Sequence, residues 1–135
     1  MKDIIVAIDF SKGSLHALDY AIEFANHVKS NLMMVWVNSQ YGKLTYKMRK
    51  GKVYQEIASQ AKAINAGLII AGTHGVTGFE EFWIGSNAYR IVSYAPCPVI
   101  TVRYDFNIKP EGIKSIVLPI DNSSDTRQKI PYAVH

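Results

Sequence analysis

The chain has 135 residues, 48% of them apolar, enough for one packed core at the usual domain size of roughly 100–150 residues. Its net charge of +4 comes from scattered Lys and Arg with one local cluster, Lys47, Arg49, Lys50 and Lys52, which is too little for a nucleic-acid surface. The single cysteine, Cys97, excludes an internal disulfide and a thiolate metal site, and the first apolar run is far too short for a signal or a membrane span, so a cytoplasmic protein is expected.

Taken in order, Ile4 to Ile8 is a continuous apolar run bounded by charge, as in a parallel strand covered on both faces. Asp9 closes it. Ser11 to Ser14 offer caps and a glycine, and Leu15, Leu18, Ile22, Ala25 and Val28 at helical spacing predict an amphipathic helix to about Lys29. Leu32 to Val37 reads as a second buried strand and Leu44 to Met48 as a weak third. Val53 to Ala66 reads as a helix with Val53, Ile57, Ala61 and Ile64 inward, and Leu68 to Ala71 as a fourth strand. Gly85 and Ser86 begin a helix with Ala88, Ile91 and Val92 inward; Pro96 stops it, and Val99 to Val102 makes a fifth strand. Strands alternating with helices give an α/β fold, a doubly wound parallel sheet.

One link breaks the pattern. Six residues between Val37 and Leu44 are too few for a parallel crossover, which takes a dozen or more, usually including a helix. Either these strands form an antiparallel hairpin, or the chain lacks a crossover helix that its fold would ordinarily carry. The second is preferred, because Leu32 to Val37 looks buried on both faces.

The tail repeats the start. Lys114 to Val134 follow Lys2 to Ile22 at a constant offset of 112, matching Ile8 to Ile120, Asp9 to Asp121, Ser11 to Ser123, and Tyr20-Ala21 to Tyr132-Ala133. A repeated strand-turn-helix unit indicates a duplicated domain. The expected organisation is a first domain over 1–103, a linker over 104–113 containing Pro110 and Gly112, and over 114–135 the start of a second copy that breaks off.

The long loop after the fourth strand carries glycines at 72 and 75 and, ten residues on, Gly85-Ser86. In an open parallel sheet, ligands sit beyond the carboxyl ends of the strands, where Asp9, Val37 and Gly72 lie. Gly72 and Gly75 let main chain approach a ligand, and the N–H groups at Gly85 and Ser86 open a helix whose amides suit phosphate oxygens.

Gly72-Thr73-His74-Gly75, nine residues and Gly85-Ser86, preceded by Leu68 to Ala71 and followed by Ala95 to Arg103, resembles the universal stress protein family, whose ATP-binding members share G-x2-G-x9-G-(S/T). Ile4 to Ser11, the helix with Ala17 to Ala25, and Asn31 to Val37 extend the likeness to the family's first strand, first helix and second strand. The resemblance implies a five-strand parallel sheet in order 3-2-1-4-5, like that of the adenine-nucleotide alpha hydrolases, and a ligand that is ATP, alone or with Mg2+, or a related adenine nucleotide. It places Ala7, Asp9 and the Val37 backbone at the adenosine end, and Gly72, His74, Gly75, Gly85, Ser86 and Asn87 around ribose and phosphates. Asp9 has a rival role as cap of the following helix, and Ser86 is read as an N-cap in either case. The chain departs from the family at Ala7, where proline is common in P-x-D-x-S, although Pro119-Ile120-Asp121-Asn122-Ser123 restores it, and at Asn87-Ala88.

The expected function is a regulatory adenine-nucleotide-binding protein of the stress response. Any ATPase is expected to be slow, since no Walker-type Gly-Lys-Ser and no Mg2+-holding carboxylate pair is present. The rivals are a nucleotide-free interaction module of the same fold and, ranked last, an AMP-forming enzyme. The apolar fifth strand at a sheet edge is expected to pair with the second domain or with another copy in a homodimer; neither nucleic acid nor membrane is an expected partner.

Overall fold

The computed structural model describes residues 2–38, 49–50, 52–73, 85–103, 115–121, 123–128 and 130–131. Its elements run β1 (Ile4–Ile8), α1 (Lys12–Val28), β2 (Leu32–Asn38), β3 (Arg49–Lys50), α2 (Val53–Ala63), β4 (Leu68–Gly72), α3 (Ser86–Tyr94), β5 (Val99–Val102) and α4 (Ser124–Arg127). The strands are parallel, in the order β3-β2-β1-β4-β5. Four of them make the body of the sheet. The outermost, β3, is only a two-residue pairing of Arg49 with Val37 and Lys50 with Asn38. The expected third strand at 44–48 lies outside the described residues. The described pairing, of 49–50 with the end of β2, is parallel, while 39–48, which hold the expected third strand and the link, are not among the described residues.

β1 sits at the centre because all five of its side chains are apolar and buried. Its alternate residues feed two cores. Ile5 and Ala7 join Val35, Ile57, Ala61, Ile69 and Ile91 on the face covered by α2 and α3. Ile4, Val6 and Ile8 join Ala17, Tyr20, Ala21, Ala25 and Ile70 on the face covered by α1. Burying such side chains stabilises by roughly 1.5–3 kcal/mol each. Cys97 packs against the first core as a small apolar residue, and burial pushes its thiol pKa up.

The helix faces differ in part from the expected ones. α1 turns Gly13, Ser14, Ala17, Tyr20, Ala21 and Ala25 inward, while Leu15 and Ile22 stay exposed, because small residues let the helix lie close on the bulky strand side chains. Register puts Met34 beside Val6 on that same α1 face, yet Met34 remains 55% exposed. Among the described residues no helix but α1 covers this side. α2 ends at Ala63 rather than Ala66, since Asn65 takes a left-handed φ of 52° and the Ala66 N–H closes onto the Ala61 carbonyl at 2.8 Å. On α3, Ala88 and Ile91 are buried as expected, but Val92 is exposed.

α1 meets β4 at its N-terminus. A Cβ added at Gly72 would fall 2.7 Å from the carbonyl carbon and oxygen of Gly13 and 2.9 Å from the Ser14 nitrogen, all backbone atoms. Gly72→Ala should therefore cost about 1–3 kcal/mol, read as a lowered urea midpoint with an unchanged m-value; an unshifted midpoint would show that the helix start yields freely.

Candidate functional site

The order β2-β1-β4 means that chain connections leave β1 in opposite directions, so the crevice between the ends of β1 and β4 is the topological switch point. Asp9 leaves β1 there and Gly72 ends β4 there, with Ala7 and Ala71 paired just below. The close approach of Gly13 to Gly72 brings the two chain segments together.

Asp9 is fixed by a local network. Its Oδ1 accepts the Ser11 N–H at 3.0 Å, and its own N–H donates to the Ser14 hydroxyl at 3.2 Å. Ser11 is the N-cap of α1, its hydroxyl accepting the Ser14 N–H at 3.2 Å, and the Ser14 hydroxyl donates to the Ser11 carbonyl at 3.1 Å. Asp9 is thus not the cap; it braces the cap from one turn outside. Partial desolvation raises its pKa, but hydrogen bonds from the Ser11 and Ser14 side chains and from the backbone N–H groups of Ser11 and Asp9 outweigh this and hold it below the usual 3.8. The carboxylate is ionised at neutral pH and open to solvent.

The loop after β4 is closed at its base. Thr73 is buried, its N–H donates to the Val102 carbonyl at 3.0 Å, and its carbonyl accepts the Gly85 N–H at 2.7 Å. The Gly85 amide is therefore engaged within the chain rather than aimed at an anion. Gly85, not Ser86, is the N-cap of α3, without a side-chain cap bond, and Ser86 and Asn87 are exposed in its first turn, where the leading amides lack intrahelical acceptors. Ala7 is buried in the core on the α2–α3 side, so its side chain serves packing rather than the crevice. The Val37 backbone lies at the end of β2, paired with Arg49. His74 and Gly75, with Phe79, Glu80, Glu81 and Trp83, lie outside the described residues.

Sequence reasoning passed over two residues beside Asp9. The rings of Phe10 and Trp36 meet edge to face, with centroids 5.2 Å apart and an interplanar angle of 76°. Phe10 has φ 62°, a left-handed conformation that is an outlier for a bulky residue. An aromatic between a strand-ending Asp and a helix cap was the signal that could have drawn attention to it.

The Asp9 network recurs in the tail. Asp121 Oδ1 accepts the Ser123 N–H at 2.7 Å, and the Asp121 N–H donates to the Thr126 hydroxyl at 3.3 Å. The Ser123 hydroxyl accepts the Thr126 N–H at 3.3 Å and caps α4, and the Thr126 hydroxyl also lies 3.3 Å from the Ser123 carbonyl. Every bond stands at the same offset of 112 from its counterpart. The residues before it, 115–120, do not form a strand, and Ile116, Val117 and Ile120 are exposed.

A match to the universal stress protein family covers residues 37–103, the part of the chain that holds β4, α3 and β5. That match supports the universal stress protein family for residues 37–103. Curated Staphylococcus aureus relatives bearing the universal stress protein name, from strains USA300 and NCTC 8325, are each 33% identical over 94 residues, 70% of this chain and 53% of theirs. The chain thus spans about half the length of the curated relatives it matches. Among solved structures, the universal stress protein UspA from Lactobacillus plantarum superposes with a TM-score of 0.65 at 20% identity, covering 76% of this chain and 97% of that one. A universal stress protein from Archaeoglobus fulgidus does so with a TM-score of 0.61 at 19% identity, over 76% and 98%. A universal stress protein in complex with cAMP gives a TM-score of 0.53 at 16% identity, over 75% and 96%. These structural likenesses show the fold. Among the described residues, no helix is long and apolar enough to cross a membrane.

Because the folded-state pKa of Asp9 is depressed, its contribution to stability is present above the unfolded value and is lost as pH falls through the lower folded value. Asp9→Asn removes that dependence. The stability gap between the parent and Asp9→Asn, from urea unfolding, should be largest near neutrality and shrink below about pH 4; a gap constant down to pH 2 would contradict the assignment.

Proposed function

We propose that this chain is a cytoplasmic regulatory domain that binds ATP or a related adenine nucleotide in the crevice above β1 and β4. One observation carries the reading: a solvent-open carboxylate, Asp9, is held ionised at the switch point, directly beside the end of β4 from which the glycine-bounded loop departs. An acceptor-only group of this kind suits ribose hydroxyls or the adenine amino group and repels phosphate, so it belongs at the nucleoside end. The phosphates then fall to the loop and to the start of α3, where Ser86 and Asn87 are exposed and the helix dipole favours an anion. Gly72, His74, Gly75 and Gly85 complete this set. Asp9, the Val37 backbone and the β1 end next to Ala7 take the nucleoside. A distant relative bound to cAMP supports the ligand class. Mg2+ would arrive with the phosphates, and binding rather than turnover would supply the signal.

The nucleotide-free interaction module is favoured by a different observation. Gly72 is demanded by the backbone of Gly13, and the Gly85 N–H is engaged by Thr73, so two of the motif's glycine positions have structural uses without any ligand. Calorimetry separates the readings. ATP should bind with a Kd below about 1 mM, Gly75→Val should abolish the heat, and Ser86→Ala should weaken binding by about three- to tenfold. No heat with ATP, ADP, AMP or cAMP leaves the interaction module.

We further propose that 104–113 is a linker and that 114–135 begins a second copy of the domain, with the β5 edge as the surface offered to a second domain or to another copy. The support is the Asp121–Ser123–Thr126 network, three of whose bonds match those of Asp9–Ser11–Ser14 at the same offset. No described residue of 115–131 belongs to either core cluster. A chain ending at Arg103 should therefore keep its Tm within about 2 °C; a larger fall would mean that the tail is part of the first domain.

A further inference from the structure

We propose that Phe10 and Trp36 form an aromatic shelf that carries the base of the bound nucleotide by stacking. The inference rests on the nucleotide reading above and deepens it, naming what holds the base. Trp36 is paired in register with Ile8, the last residue of β1, and shares its face of the sheet, two residues short of the end of β2. Phe10 follows Asp9 directly and precedes the Ser11 cap, so the shelf adjoins the carboxylate already placed at the nucleoside end. Phe10 is 56% exposed.

The backbone points the same way. A phenylalanine held at φ 62° is strained relative to glycine, and left-handed non-glycine residues collect at ligand clamps because the surrounding structure must enforce them. The core gains little from this one, since Phe10 is exposed and belongs to neither core cluster. What the conformation achieves is to set the ring edge to face with Trp36 beside the end of β1. An aromatic face there offers a base a π-surface in addition to hydrogen bonds at its edge.

The same strain supplies a clean variant. Phe10→Gly suits the left-handed backbone, so the protein should fold with an unchanged or raised Tm, which separates loss of the ring from loss of the fold. ATP affinity measured by calorimetry should fall about tenfold in Phe10→Gly and return in Phe10→Tyr, while the affinity for inorganic triphosphate stays the same. The chain has two tryptophans, Trp36 and Trp83, so a Trp83→Phe background leaves Trp36 as the only indole. Its emission should change on adding ATP or adenosine and not on adding triphosphate. If ATP binds equally well to Phe10→Gly, or if Trp36 emission is indifferent to ATP, the shelf is wrong and the nucleotide reading stands. If the parent gives no heat with ATP, both fall together.

Discussion

The backbone of α1 rests on the backbone of β4 at Gly72 with no room between them for a methyl group. That contact fixes how far α1 can lie from the sheet. It also aligns the two strand ends from which Asp9 and the long loop depart. Small residues along α1 extend the same close approach: Gly13, Ala17, Ala21 and Ala25 are buried where larger side chains would hold the helix off the Ile4, Val6 and Ile8 row. The crevice is thus a by-product of packing, formed because one helix start is pressed against the strand next to its own.

Around that contact the polar groups follow a local logic. Ser11 satisfies a helix amide, Ser14 returns a hydroxyl to the Ser11 carbonyl and receives the Asp9 N–H, and the Asp9 carboxylate takes the Ser11 N–H. Among the described residues, no long side chain reaches in from elsewhere to position the acid. Thr73 performs the corresponding task on the other wall, bonding β5 on one side and Gly85 on the other, so the two ends of the loop are tied to the sheet at one point.

The strands were legible in the sequence because a parallel sheet buried on both faces needs unbroken apolar runs, and Ile4 to Ile8, Leu68 to Ala71 and Val99 to Val102 are such runs. Helix faces were less so. Leu15 and Ile22 share a helical stripe with truly inward residues, and periodicity weights them by hydrophobicity, whereas the packing distance selected small residues instead. At the site, Asp9 and Gly72 were readable as strand-end positions. What could not be read was that Gly85 rather than Ser86 caps α3, or that its amide is used inside the chain, since both depend on where Thr73 sits after the strand. Phe10 and Trp36 are 26 positions apart and meet only once β1 and β2 are in register.

The tail shows how little surrounding structure the Asp-x-Ser turn requires. Asp121, Ser123 and Thr126 adopt their bonds on an exposed segment with no strand ahead of them and only a four-residue helix behind. Six residues of main chain and three short polar side chains suffice to set the geometry. A recognition element encoded so locally is portable: grafted ahead of an unrelated helix, the same six positions should carry their acid with them in the same pose.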